Sequence, residues 1–355
     1  MNENRQLLDY PFDLYQRTRD IAEIVGIIAG ETGRQRLRIL DVGGFRVEAA
    51  GRKDLLLREF LPGREIYALD LAVCDIPDIR GYIQGNALQL PFKDGVFDVV
   101  VSSDVYEHIP GPGRGEFIRE LLRVLAADGF AALGAPFFRE KTVLAEEILF
   151  EFIHKTLYVG QAQLKEHIEN GLPTVEGLEQ MFRENRLEFT CFDSGRLDGW
   201  LMRMMVEHYL MTIPDTQRLR MMLNRYYNME SYESDHAGEG YRKVFAIAKE
   251  KAAASVLEKV KGHFAAYAEK GKEQGALTGN LEAARLLLDL EELRTRRLFQ
   301  EKDRIIQQQA AQIGAFNHMR ATRVYRFIQF FNKLFFRPLV RIFGERDKEG
   351  KKVRG

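Results

Sequence analysis

Four short stretches of this 355-residue chain carry residue types that can hold a polar ligand. The first is LRILDVGGFRVEAA, residues 37–50, where an apolar run ends in Asp41 and passes into Gly43 and Gly44. Glycines at a strand end let backbone N–H groups approach a polar or charged ligand closely. The second is YALDL, in which Asp70 closes the next strand-like run. A carboxylate there can accept hydrogen bonds from both hydroxyls of a ribose. The third and fourth lie in GNALQLPFKDGVFDVVVSSDVYEHIP, residues 85–110. Asn86 and Ala87 follow a third strand, where a loop can hydrogen-bond to and pack on an adenine. Ser102, Ser103 and Asp104 end a fourth, at the edge where open sheets bind ligands. Each stretch alone could be an ordinary turn or cap. In order, they place polar groups along one edge of a single sheet.

That edge needs a sheet to carry it. Strand-like segments at 37–42, 65–69, 82–84, 97–102 and 129–135 alternate with helix-like ones, and EFIRELLRVLAADG, residues 116–129, is a helix stopped by Gly129. Continuous apolar strands such as VFDVVVS imply a parallel sheet covered on both faces. Residues 12–30 read as an amphipathic helix. Two later segments, 187–192 and 241–249, are strand candidates able to form an antiparallel edge. The expected fold is therefore α/β, a Rossmann-like doubly wound sheet, mostly parallel with an antiparallel edge, plus a helical insert and long C-terminal helices. The organisation follows: a catalytic-type domain over 1–250 with a helical insert at 139–240, a helical or coiled-coil segment at 251–318, a basic amphipathic helix at 319–345 and a charged disordered tail at 346–355. The Met-rich runs of the insert, WLMRMMVEHYLM and MMLNRYYNM, read as core packing.

Composition narrows the class. Lys+Arg and Asp+Glu are 52 each, but residues 1–250 carry a net charge of −10 and residues 251–355 one of +10. An acidic body and a basic tail suggest two different jobs. RATRVYRFIQFFNKLFFRPLVRIF, residues 320–343, has six basic residues and no acidic one, with Phe and Leu on the opposite helical face. Such a helix suits an anionic membrane surface and is too charged to span one. The acidic body argues against nucleic acid as a partner. Two cysteines, Cys74 and Cys191, are too few for a zinc cluster or a disulfide framework, so buried free thiols are expected. No apolar leader is visible at the N-terminus. The expected location is cytoplasmic, peripheral on the inner membrane face, and self-association is a further expectation from the helical segment.

ILDVGG, then YALDL, then GNALQLPF, DGVFDVVVSSDVYEHI and the helix FIRELLRVLAADG resemble class I S-adenosylmethionine-dependent methyltransferases of the small-molecule type. The likeness spans about residues 10–135. That family usually has Asp-x-Gly-x-Gly in the first turn; here Asp41 and Gly43 match, and Phe45 stands in the last glycine's place. The resemblance implies S-adenosyl-L-methionine as cofactor. It places Asp41 and Gly43 at the methionine part, with Gly44 beside them. Asp70 would bind the ribose, Leu71, Asn86 and Ala87 would contact the adenine, and Ser103 would lie near the sulfonium. The lack of G-x-G-x-x-G, which close approach to a phosphate needs, weighs against a nicotinamide dehydrogenase.

Methyl transfer needs proximity, alignment and, for a hydroxyl acceptor, a base. His108 and Asp104 are the candidates after the fourth strand, with His154 and His167 in the helical insert as further ones. No His/Asp/Glu spacing argues for a metal, so none is expected. LKEHIENGLPTVEGLEQMF and the late strand YRKVFAIAK resemble methyltransferases that accompany glycosyltransferases in surface-polysaccharide assembly. That likeness implies a sugar hydroxyl of a cell-envelope glycan or its lipid-linked precursor as acceptor. The alternatives are a quinone, lipid or small metabolite, or an inactive methyltransferase-like scaffold.

Overall fold

The computed structural model describes residues 4–34, 36–49, 52–73, 79–157, 162–249 and 253–321, together with 326, 327, 329 and 330. Its strands are β1 (Arg38–Val42), β2 (Arg46–Ala49), β3 (Arg52–Leu55), β4 (Glu65–Asp70), β5 (Tyr82–Gln84), β6 (Phe97–Ser103), β7 (Leu125–Pro136), β8 (Glu188–Arg196) and β9 (Gly240–Ala248). Seven of them form one sheet in the order β5-β4-β1-β6-β7-β9-β8. β5, β4, β1, β6 and β7 run parallel, and β9 is antiparallel to both β7 and β8. Order reverses between β4 and β6 on either side of β1, which opens a crevice at the carboxyl ends of those strands.

The helices are α1 (Asn4–Leu7), α2 (Phe12–Thr32), α3 (Leu56–Phe60), α4 (Arg114–Val124), α5 (Glu140–Glu151), α6 (Ala162–Asn170), α7 (Val175–Glu184), α8 (Leu197–Met211), α9 (Gln217–Glu230) and α10 (Ala254–Ala321). Alternate residues of each central strand feed two separate cores, as period-2 side chains must. Ile39, Val99 and Val101 pack on one face with Ile24, Val25 and Ile28 of α2. Leu40, Val42 and Val100 pack on the other with Phe117 and Leu121 of α4 and Phe182 of α7. The strands therefore read as unbroken apolar runs. The antiparallel edge expected from 187–192 and 241–249 is present as β8 and β9.

Three features differ from the sequence reading. The glycine turn after β1 leads into the β2–β3 hairpin, paired from Arg46↔Leu55 to Ala49↔Arg52, and only then into the short α3. The first compact unit runs from Met1 to Leu286, past residue 250, and the second from Leu287 to Gly355. The start of α10 belongs to the body because Val256, Leu257, Val260 and Phe264 are buried in the α2-side core. The methionine runs of the insert are not core throughout: Met211, Met221, Met222 and Met229 are exposed, and Met202, Met204 and Met205 are half-buried. Polar residues take the inner face of α9 instead. Asn228 donates to the Leu8 and Tyr10 carbonyls, and Asn224 Oδ1 accepts from the Phe12 N–H, so α9 is bound to the segment entering α2 by hydrogen bonds.

A second buried polar cluster joins α2 to the far edge. Asp20 Oδ1 accepts from Tyr232 Oη at 2.8 Å and from His236 Nε2 at 3.0 Å, and its Oδ2 accepts from Ser194. His236 Nδ1 lies 3.0 Å from the Tyr232 carbonyl. Burial disfavours charge on this imidazole, but Asp20 outweighs it and raises the His236 pKa.

The described side chains over 299–315 of α10 are exposed; Phe299, Ile306 and Ile313 among them recur every seven residues, the spacing of a helix-pairing seam. The basic helix expected at 320–343 and Cys74 lie outside the described residues, apart from 320, 321, 326, 327, 329 and 330. Cys191 is a half-buried free thiol whose pKa burial pushes up. No helix of the described residues is long and apolar enough to cross a membrane.

Candidate active site

Backbone geometry explains the two glycines first. Gly43 sits at φ +81°, the left-handed region that disfavours a side chain, and a Cβ there would overlap Val105 Cγ2. Its N–H donates to the Leu69 carbonyl at 2.7 Å, which fixes the turn against the end of β4. A Cβ on Gly44 would overlap the Ala68 side chain and come 3.1 Å from Asp41 Oδ2. Asp41 is thus held under the turn. Burial pushes its carboxyl up to about 7, against the pull of Arg17 and with the help of the Asp70 charge.

The turn opens into a cleft of about 780 Å³. One end is lined by Gly43, Gly44, Asp70, Leu71, Asn86 and Ala87, all anticipated from sequence. Asp70 uses Oδ1 to accept from the Ala72 N–H at 2.8 Å. Its backbone carbonyl accepts from the Gly85 N–H at 2.9 Å, joining the ends of β4 and β5. Leu71 is 71% exposed, an apolar side chain standing at the cleft wall where an aromatic base could lie. Asn86 Oδ1 accepts from the Leu88 N–H at 2.9 Å, which shapes the next loop. Phe45, in place of a third glycine, is half exposed and lines the same cleft, so the substitution adds an apolar wall there. Asp41 and Ser103 line a small recess below, which shares Arg17, Gly43 and Phe45 with the cleft.

The other end is lined by Arg17, Asp104, His108, Gln163, Glu166 and Asn170. Arg17 comes from α2 and the last three from α6; sequence reasoning missed all four, since an Arg or Gln on a helix has no local mark of its role. Here the expectation for Asp104 is corrected. Its carboxylate accepts from Arg242 Nε at 2.6 Å and Nη2 at 2.5 Å and lies 3.2 Å from Arg17 Nη1. Burial alone would raise its pKa, but Arg242 and then Arg17 hold it below the ordinary carboxylate value. A carboxylate so engaged is a poor proton acceptor. Arg242, 2% exposed, also forks to both oxygens of Asp13 at 2.8 and 2.9 Å, and Trp200 Nε1 donates to Asp13 at 2.9 Å. Asp104 has φ +55°, and this network is what holds it there.

His108 keeps its place in the cleft. Burial, and then the neighbouring His167, hold it below the ordinary imidazole value, so the ring is neutral at pH 7. Its Nδ1 lies 3.1 Å from Glu166 Oε2. His167 is beside it, with ring centroids 4.7 Å apart. His154 is exposed and stacks on Phe150. Glu107, not among the candidate bases, is 1% exposed; burial, with the nearby Asp104, keeps its pKa well above the usual carboxylate range.

Residues 56–133 match the methyltransferase domain family. Over 81 residues the chain is 35% identical to norajmaline N-methyltransferase of Rauvolfia serpentina, covering 23% of this chain and 22% of that protein. Over 149 residues it is 31% identical to malonyl-(acyl-carrier protein) O-methyltransferase of Geobacter sulfurreducens, covering 39% and 53%. The chain thus spans from under a quarter to about half the length of these curated relatives. Among solved structures, phosphoethanolamine N-methyltransferase 2 of Haemonchus contortus, in complex with S-adenosyl-L-methionine, aligns at TM-score 0.38 and 15% identity, over 64% of this chain and 52% of that one. The chain carries a methyltransferase domain over residues 56–133. The family match begins at Leu56, the first residue of α3 after the β2–β3 hairpin.

Proposed function

We propose that the protein transfers the methyl group of S-adenosyl-L-methionine to a hydroxyl of a polar acceptor, a sugar of a cell-envelope glycan or its lipid-linked precursor. One observation carries this reading: a single cleft is lined both by Asp70, Leu71, Asn86 and Ala87, which suit a nucleoside, and by Arg17, His108, Gln163, Glu166 and Asn170. Those side chains suit a ligand rich in hydroxyls. The exposed methionines of α8 and α9 do not line the cleft, which disfavours a quinone or lipid acceptor held by them. The resemblance of the insert to enzymes of surface-polysaccharide assembly points the same way. In the reaction, the acceptor oxygen attacks the methyl carbon in line, the C–S bond breaks, its electron pair returns to sulfur, and the hydroxyl proton leaves to water through the open cleft. The cleft contributes chiefly by bringing the two reactants into alignment.

Calorimetric titration with S-adenosyl-L-methionine tests the cofactor half. Asp70→Ala removes the acceptor of two ribose hydrogen bonds, each worth about 1.5–3 kcal/mol to a charged partner. The expected result is micromolar binding by the wild type and a loss of about 100-fold or more in the variant. Wild-type protein that is folded and does not bind would sink the reading in favour of a scaffold. Methyl transfer from labelled cofactor to sugar-lipid acceptors, set against quinone acceptors, tests the other half.

The same titration carries a pH signature. The Asp41 carboxyl titrates at about 7 in the free protein. A cationic methionine end placed beside it favours the ionised form, so binding below that pH must expel a proton. Affinity is therefore expected to rise with pH, approaching tenfold per unit, and to level off near pH 7. Titrations in buffers of different ionisation enthalpy should report the proton released, and Asp41→Asn should abolish the slope. A flat profile would place the ligand's charge away from Asp41.

A further inference from the structure

Local spacing gave no reason to expect a metal, because the relevant side chains come from two distant segments. Glu107 and His108 follow β6, and His167 comes from the last turn of α6. One ligand atom from each of the three lies within 4.8 Å of the other two. We infer that Glu107, His108 and His167 form a binding site for a divalent transition-metal ion that reaches the cleft through His108, the member of the three that lines it.

Two buried polar atoms point to it independently of the spacing. Among the described residues, His167 Nε2 and Glu107 Oε2 have no hydrogen-bond partner, on side chains 6% and 1% exposed. Orphaned buried polar atoms are rare and costly, and an ion would satisfy both. The surroundings prepare the rings for it. His167 Nδ1 lies 3.0 Å from Oε1 of the buried Glu146, which also accepts from Tyr241 Oη at 2.8 Å. His108 Nδ1 lies 3.1 Å from Glu166 Oε2. In each ring an Nδ1–H facing a carboxylate leaves a lone pair on Nε2. His108 Nε2 is 4.0 Å from Glu107 Oε1. Carboxylates that fix the tautomer and orientation of ligating histidines are the usual outer shell of a metal site. Here both histidines have one.

Two imidazoles and a carboxylate suit zinc, iron(II) or cobalt(II) better than magnesium or calcium. Three protein ligands leave positions open, the pattern of catalytic rather than structural ions. Ligand atoms around one such ion lie about 3.3 Å apart, so the site closes by about 1.5 Å on binding. Resting on the methyl-transfer reading, the ion would take the acceptor hydroxyl in an open position and lower its pKa. The hydroxyl proton leaves to water through the open cleft, the oxygen forms the bond to the methyl carbon, and sulfur keeps the electron pair. The lone pair of His108 then serves the ion rather than the proton.

The test uses the full chain, stripped with a chelator and titrated with cobalt(II), followed by its visible d–d bands and by elemental analysis. Binding of one ion per chain at micromolar affinity is expected. His167→Asn should lose the bands, and Glu146→Gln should weaken binding by about 10–100-fold. S-adenosyl-L-methionine titration of the same samples reports folding and the cofactor site separately, because neither His167 nor Glu146 lines the cofactor end. Wild-type protein that binds S-adenosyl-L-methionine but neither cobalt(II) nor zinc(II) would overturn the site. So would His167→Asn binding cobalt(II) as tightly as wild type. Cobalt(II) bound by a chain that does not bind S-adenosyl-L-methionine would support the site and sink the methyl-transfer reading.

Discussion

Arg242→Met is expected to destabilise the fold by about 3–5 kcal/mol, the usual cost of removing one partner of a buried ion pair. The substitution keeps much of the side-chain volume, so little of the loss is cavity. What remains is Asp13 and Asp104, both accepting hydrogen bonds from the guanidinium in the native protein. Arg17 lies 3.2 Å from Asp104 and offsets part of its charge, and Asp13 keeps the Trp200 N–H. Total stabilities run at about 5–15 kcal/mol, so this change uses a large share. Urea titration monitored at Trp200 should show the drop in midpoint. The sign of its pH dependence is fixed. In the wild type the Asp104 pKa is lowered by Arg242 and Arg17 acting against burial, so its contribution is present above the ordinary aspartate value, about 3.9, and is lost as pH falls through the folded value. In Arg242→Met the stranded carboxylates can protonate, so the difference from wild type should shrink as pH falls from 7 towards 5. Asp13→Asn/Asp104→Asn added to Arg242→Met should recover part of the loss at pH 7. A destabilisation below about 1 kcal/mol would mean that water or Arg17 compensates for the missing guanidinium.

Gly43→Ala is the second large effect, and it acts on the site as well as on the fold. The left-handed backbone at φ +81° costs a non-glycine residue about 1–2 kcal/mol. The new methyl would also overlap Val105 Cγ2, and overpacking of that kind costs about 1–3 kcal/mol more. Either the turn or the 104–108 loop has to move, and both line the cleft. The expected result is about 2–5 kcal/mol lost by denaturant titration and at least a 100-fold fall in affinity for S-adenosyl-L-methionine. Gly43→Ala/Val105→Ala separates the two causes, since it removes the clash and leaves the backbone cost. It should regain about half of the stability. Full recovery in the double variant would show that the backbone conformation is not constrained, and no recovery would show that it accounts for the whole effect.

Much of the frame follows from residue types in order. VFDVVVS must be a strand covered on both faces, and β6 feeds Val100 to one core and Val99 and Val101 to the other. Asp41, Gly43, Gly44, Asp70, Asn86 and Ala87 could be read directly because each sits at the end of a short local pattern, a strand meeting a turn. Their roles depend on the few residues on either side. The β2–β3 hairpin was not legible, because four-residue strands have too few turns of alternation to stand out. The insert was misread for a different reason. Burial of a helix face is set by what it meets, and α9 meets backbone carbonyls at Leu8 and Tyr10, so Asn228 goes in and Met222 and Met229 stay out.

The sequence by itself determined the sheet and the polar residues along its carboxyl edge, Asp70, Asn86 and Ala87 among them, since parallel strands present their carboxyl ends together and local turns complete them. Only the tertiary structure decided what occupies the acceptor end. Arg242 reaches Asp104 across 138 residues of chain and Asp13 across 229, which turns a candidate base into half of an ion pair. His167 reaches the Glu107–His108 pair from α6, a contact that no spacing along the chain announces. Charge and ligand pairing act through space over a few ångströms, whereas the patterns that specify strands and turns act along the chain over a few residues.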